Sequence, residues 1–286
     1  MTTPRGLTRL RIADLIVRLP GDLDLPDADV LETHLRPFAW EGEGAADVVV
    51  ERVALPPDEA SLPPGSFRID VNRLPGRPVD DPSVRPHWLT ERDRSMLVRG
   101  ACRTALEAIA AAHLGLAHAL PARDGLMLHA SAVNAAGWAF VFPGVAEAGK
   151  STAASRFAGG TILTDERCAV RRVDGRWTAY PVPMWGGKYK PVSSKPVPLA
   201  MLVVVRKNAP LAVRTLPTST AIGRLAPAIV HNHYDGMKAE RVLGALAQLA
   251  TEVPVVELAY APGDSFTEVL LSQAPAVVSS GAFGGN

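Results

Sequence analysis

Cysteine is almost missing from this chain. Cys102 and Cys168 are the only two in 286 residues. Two cysteines cannot build a disulfide framework, and the count suits a reducing, cytoplasmic setting. An excess of either charge is missing as well. Lysine and arginine total 30 against 29 acidic residues, a net charge of +1. That balance excludes a dominant polyanion-binding surface, so nucleic acid is not an expected partner. Long hydrophobic runs are lacking. The most apolar one, residues 199–205, is far too short to span a bilayer, and the first residues lack the apolar core of a signal peptide. A membrane is therefore not an expected partner either. No internal repeat is visible.

What the chain does contain is apolar residues, at 47%, enough for one large domain or two smaller ones. Its 25 prolines gather in the N-terminal third and around 181–198, which predicts loops and short edge strands there. Strand patterns occur at 8–18, 47–53 and 67–71. Apolar residues at helical spacing between 90 and 119 predict one long helix. Residues 125–133 read as a strand, and Asn134-Ala-Ala-Gly137 as a tight turn into a second strand at 137–143. A helix over 151–158, a strand at 161–164 and a hairpin around Asp174-Gly175 follow. Strands at 199–206, 211–216 and 255–259 alternate with helices at 218–230, 236–251 and 264–273. The domains expected are a small β-rich region (1–88), a connecting helix (89–120), a core (121–274) and a frayed tail (275–286).

One motif names a ligand. Residues 144–151 read Gly144-Val145-Ala146-Glu147-Ala148-Gly149-Lys150-Ser151, the G-x-x-x-x-G-K-[ST] phosphate loop. Glycines let backbone N–H groups turn around phosphate oxygens. The lysine reaches the terminal phosphates, and the serine hydroxyl holds Mg²⁺. An apolar strand precedes the loop and an alanine-rich helix follows it, the required order. Asp165 and Glu166 stand at the end of the next strand, where ligands of α/β folds bind. One carboxylate can hold Mg²⁺ and the other can take an acceptor's proton. His129, alone on an apolar strand, reads as an ordinary core histidine. Lys188 and Lys190, in a glycine-containing segment, are candidates for closing over phosphate or an acidic substrate. Arg206, ending an apolar strand, is a candidate γ-phosphate clamp. His231 and His233 have a metal-like composition without supporting ligands.

The run His129-Ala-Ser-Ala-Val133, the loop continuing to Thr152, and the Thr164-Asp165-Glu166 edge together resemble the HPr kinase/phosphorylase family. The resemblance is closest to its truncated bacterial relatives, the HPr-related serine kinases. It is specific from Gly125 to Glu166, with a looser likeness of layout beyond. It implies an α/β (α+β) fold: a P-loop nucleotide-binding core with a mixed sheet flanked by helices, similar to phosphoenolpyruvate carboxykinase. It implies ATP and Mg²⁺ as cofactors, with residues 144–152 binding phosphate. Asp165 is then the catalytic base, Glu166 lies near the metal, and His129 tunes Asp165. Two residues depart from the family: Glu147 replaces a glycine, and Glu166 replaces an aspartate. The family's longer C-terminal signature for its carrier protein is not found. The acceptor is expected to be a serine of a protein or peptide. A small-molecule alcohol, a silent nucleotide-binding regulator and self-association into a homo-oligomer stay open.

Overall fold

The computed structural model describes residues 8–21, 35–53, 62, 66–71, 85–92, 95–102, 104–183, 189, 193–230 and 236–275. The architecture is mixed α/β, with two mixed sheets flanked by helices. The first sheet has six strands in the order β1-β2-β3-β6-β5-β4. These are β1 (Arg9–Ile12), β2 (Leu15–Arg18), β3 (Val48–Arg52), β4 (Phe67–Val71), β5 (Arg85–Arg92) and β6 (Ser95–Gly100). The single strand expected at 8–18 is in fact a hairpin. Ala13 and Asp14 take left-handed φ angles of 52° and 60° and close a two-residue turn. The turn carries no glycine, so its sequence signal is weak. Tertiary contacts hold it: the Tyr180 hydroxyl donates to Asp14 at 2.5 Å, and Arg171 donates to the Ala13 carbonyl at 2.9 Å.

The helix expected over 90–119 begins only at Ala105. Its first third is the β5–β6 hairpin, in which Met96, Leu97 and Val98 are all buried. A strand covered on both faces buries successive residues, and that density imitates one face of a helix. The true start is marked by Thr104, whose hydroxyl accepts the Glu107 N–H at 3.2 Å. This Thr-x-x-Glu cap opens α1 (Ala105–Ala119). The helix lies between the two sheets. Its apolar residues share one core with Val48 and Val98 on one side and Met127, Ala169 and Tyr180 on the other.

The second sheet has nine strands. Its main path runs β10-β8-β9-β13-β12-β11-β7, with β15 on β13 and β14 on β15. They are β7 (Gly125–Leu128), β8 (Ala130–Ala135), β9 (Trp138–Pro143), β10 (Thr161–Thr164), β11 (Cys168–Val173), β12 (Arg176–Pro181), β13 (Val197–Lys207), β14 (Ala212–Thr215) and β15 (Val255–Tyr260). The strand expected at 125–133 splits at His129: β7 pairs with β11, while β8 pairs with β9 and β10. Two-residue turns at Ala136-Gly137 and Asp174-Gly175 close the expected hairpins. β9, β13 and β15 are parallel, and β10 runs the same way because two antiparallel pairings separate it from β9. The C-terminal ends of β10, β9, β13 and β15 therefore meet at one sheet edge.

Helices cover both faces of these strands. α2 (Lys150–Ser155) and α5 (Thr267–Leu271) pack on one face around Phe140, Phe142, Phe157 and Phe266. α3 (Thr218–Leu225) and α4 (Gly236–Glu252) pack on the other. α2 stops short of the expected 158, and α3 stops at 225, where Pro227 turns the chain into a single 3-10 turn. Both cysteines are free and buried. No helix among the described residues is long and apolar enough to cross a membrane.

Gly115 lets α1 approach the first sheet. A Cβ there would stand 2.4 Å from Val48 Cγ1 and 2.9 Å from Val98 Cγ2. Gly115→Ala is expected to lower stability by about 1–3 kcal/mol through overpacking, read from urea midpoints. Gly223→Ala, on α3 with nothing within 4 Å, is expected to raise it by about 0.5–1 kcal/mol. Equal shifts for the two variants would refute the close packing of α1.

Candidate phosphate-binding site

The loop leaves β9 and enters α2. The Gly144 N–H donates to the His129 carbonyl at 3.0 Å, which joins the loop's root to the break between β7 and β8. Gly149 takes a φ of 93°, open to glycine and strained for other residues. Lys150 is buried, and its Nζ donates to the Val145 carbonyl at 2.8 Å. Burial depresses its ammonium pKa, and the nearby Glu166 and Asp165 carboxylates oppose that shift. Val145, Ala146 and Glu147 are exposed, Ala148 is half-buried, and Thr152 is exposed on the first turn of α2.

Glu147 is a left-handed residue on the rim, at φ 62°. Its carbonyl accepts the Lys207 Nζ at 2.6 Å. The Lys207 stem also lies over Gly149, where an added Cβ would meet its Cδ at 2.8 Å. Lys207 is a residue the sequence reading missed. Its neighbour Arg206, read as a phosphate clamp, turns to the other face, and its Nε stands 3.8 Å from Glu257. Adjacent strand residues point to opposite faces, so one of the pair had to face the loop. Lys207, one position along the strand, is the residue that reaches the loop.

Asp165, only 1% exposed, is the centre of the site. It accepts hydrogen bonds from the hydroxyls of Ser131 and Ser151, the second at 2.7 Å. The two hydroxyls stand 3.3 Å apart. The carboxylate thereby ties β8 and α2 to the end of β10. Ser131 was also missed. It lies on β8, past the break at His129, so its face is set by the pairing of β8 with β9 and β10.

Glu166 takes a φ of 77°, and its carbonyl accepts the Ala130 N–H at 3.3 Å. Its carboxylate stands 3.2 Å from His129 Nε2. The resemblance implies a histidine beside Asp165; here the ring pairs with Glu166. Burial and the Lys150 charge press the His129 pKa down, while Glu166 opposes them. Lys188, Lys190, His231 and His233 lie outside the described residues.

Among the described residues no group of three or more His, Cys, Asp or Glu side chains could hold a metal. The Ser151 hydroxyl and Asp165 carboxylate are instead two hard oxygen donors side by side. Such a pair suits Mg²⁺, which retains waters and takes its other ligands from phosphate.

No family model matches the chain, and no curated protein matches it. Among solved structures, the Hpr(Ser) kinase/phosphatase from Coxiella burnetii is similar over 51% of this chain and 87% of that chain. The identity is 13% and the TM-score 0.31, a likeness that carries no functional argument.

Behind the acidic edge, α1 brings His113 into the core. Burial first, then the charge of Arg167, pushes its pKa down to about 3, and its Nε2 is buried with no hydrogen-bond partner. The unfolded chain binds a proton near the ordinary pH of about 6.5, whereas the fold does not. Stability therefore falls as pH drops from about 6.5 towards 3, by up to about 1.4 kcal/mol per unit. His113→Leu is expected to flatten that slope in urea midpoints between pH 7 and 4.5. Parallel curves for variant and parent would show that His113 is not held neutral.

Proposed function

We propose that this chain is an ATP-dependent kinase that transfers the γ-phosphate to a hydroxyl, the acceptor being a serine of a protein or peptide. The observation that carries the reading is the buried Asp165 carboxylate bonded to the phosphate-loop serine, Ser151, at 2.7 Å. A carboxylate at that point would help to hold Mg²⁺ beside the phosphates and would take the acceptor's proton.

The loop amides of 144–151 and Lys150 receive the β- and γ-phosphates, with Lys150 exchanging the Val145 carbonyl for phosphate oxygen. Ser151 and Asp165, with Glu166 nearby, would hold Mg²⁺, which neutralises phosphate charge when bound. The acceptor oxygen forms a bond to the γ-phosphorus as the bond from that phosphorus to the ADP oxygen breaks. The acceptor's proton passes to Asp165. Ser131 positions that carboxylate. His129, held towards its neutral form, orients Glu166. Positioning and charge compensation supply most of the acceleration.

A silent nucleotide-binding regulator is the reading that a Glu147 carboxylate turned into the phosphate nest would favour, because it would repel phosphate. Glu147 is exposed on the rim, and Lys207 is bonded to its carbonyl, which supports the catalytic reading over the silent one. A small-molecule alcohol remains an acceptor of the same chemical type, and an acceptor panel separates it from peptides.

ATP turnover with a panel of serine peptides and small alcohols tests the reading. Lys150→Ala and Asp165→Asn are each expected to lower transfer by about 100-fold or more. Transfer at the parent rate in Asp165→Asn would sink the base assignment. Glu147→Gly should relieve the left-handed backbone and raise stability by about 1 kcal/mol, with nucleotide affinity within about threefold of the parent. A large change in affinity would place the Glu147 side chain in the phosphate site.

A further inference from the structure

On the face of the sheet opposite α2, one buried carboxylate gathers three arginines. Glu257 on β15 is 7% exposed at its side chain. Arg214 from edge strand β14 donates to it at 2.6 Å, and Arg224 from α3 at 3.2 Å. Arg206, at the end of β13, stands 3.8 Å away. The hydrogen bond from Arg214 is the main cause that holds the Glu257 carboxyl below its usual range.

A buried carboxylate needs a cationic partner, and Arg214, at 2.6 Å, is enough to meet that need. Arg206 and Arg224 are surplus to that need. Their side chains are 52% and 45% exposed, and that of Arg214 is 66% exposed. Among the described residues Glu257 is the only acid paired with any of the three. Each guanidinium has five N–H donors in a flat fork, and one carboxylate accepts about four bonds in all. Most of the donors therefore face water, and three positive charges stand around one negative charge. Arginine forks in that state match carboxylate or phosphate oxygens.

The place of the cluster gives it a direction. Arg206 is the last residue but one of β13, on the face away from the loop, at the same sheet edge where β10 leads to Asp165 and β9 to the phosphate loop. From β10 to β13 is three strand steps, through β8 and β9. At about 4.8 Å per step, that is roughly 14 Å along the edge. An extended peptide rises about 3.3 Å per residue, so roughly four residues cover the distance.

We infer that Arg206, Arg214 and Arg224, organised by Glu257, form an anion site that binds an acidic side chain of a polypeptide acceptor, roughly four residues from the phosphorylated hydroxyl. The register rests on the kinase reading; the anion site does not.

The probe is a fluorescein-labelled hexaglutamate peptide, with hexaglutamine as the uncharged control, followed by anisotropy at about 50 mM salt. The parent protein should bind hexaglutamate and not hexaglutamine, with affinity falling as salt rises. Arg206→Gln and Arg224→Gln remove charge yet keep a donor for Glu257, and each should weaken binding about fivefold or more with an unchanged urea midpoint. No preference for hexaglutamate, or unchanged affinity in both variants, overturns the site. Lys150→Ala should bind the peptide as the parent does, so failure of the nucleotide reading is seen separately. Serine peptides with one glutamate moved residue by residue then read the register. A rate maximum three to five residues from serine supports it, and a flat profile overturns it.

Discussion

The site depends on one buried negative charge. Asp165 directly follows β10 at 1% exposure, and serine hydroxyls from β8 and α2 both donate to it. Burying a carboxylate is costly unless its oxygens are satisfied. The hydroxyls meet that requirement only when the phosphate loop, the β8–β9 hairpin and the β10 edge are in register. The same bonds that make the charge tolerable place it against the loop serine. Lys150, itself depressed by burial, lies close enough for the two carboxylates to offset part of that shift. Its Nζ is bonded to the Val145 carbonyl of the loop.

Around that centre the sheet sorts charge by face. Lys207 and Arg206 are neighbours on β13, and the alternation of a strand sends them apart. The lysine reaches the loop rim at the Glu147 carbonyl, while the arginine joins Arg214 and Arg224 at Glu257. This division gathers cations on both faces of one strand end in a chain whose net charge is only +1. It also gives Glu147 a setting. The residue serves the loop through its backbone, and its side chain is exposed.

Much of the core was legible from local pattern. Glycine-containing turns at Ala136-Gly137 and Asp174-Gly175, the phosphate-loop spacing and the apolar strands around them carry their own signals. What was not legible depended on distant parts of the chain. The Ala13-Asp14 turn is held by Tyr180 and Arg171, more than a hundred residues away in sequence. The end of β5 and all of β6 carry a helical spacing because burial on both faces erases the alternation of two, and the Thr104 cap marks the true boundary. In the site, Lys150 and Ser151 open α2 straight after the loop, and Asp165, just past β10, meets the Ser151 hydroxyl. Ser131 and Lys207 needed the sheet, since only strand pairing shows which face reaches the loop. The His129 ring shows the same dependence: its pairing with Glu166 follows from a left-handed backbone at Glu166 that no motif announces.

The central claim is that the loop and Asp165 together form a metal-assisted triphosphate site. The most direct measurement is calorimetric titration with a non-hydrolysable ATP analogue, with and without Mg²⁺, on the parent protein and Ser151→Ala. The account predicts binding by the parent that tightens about tenfold or more with Mg²⁺, and loss of most of that gain in Ser151→Ala. Absence of analogue binding by the parent, or a Mg²⁺ effect of equal size in both proteins, would contradict it.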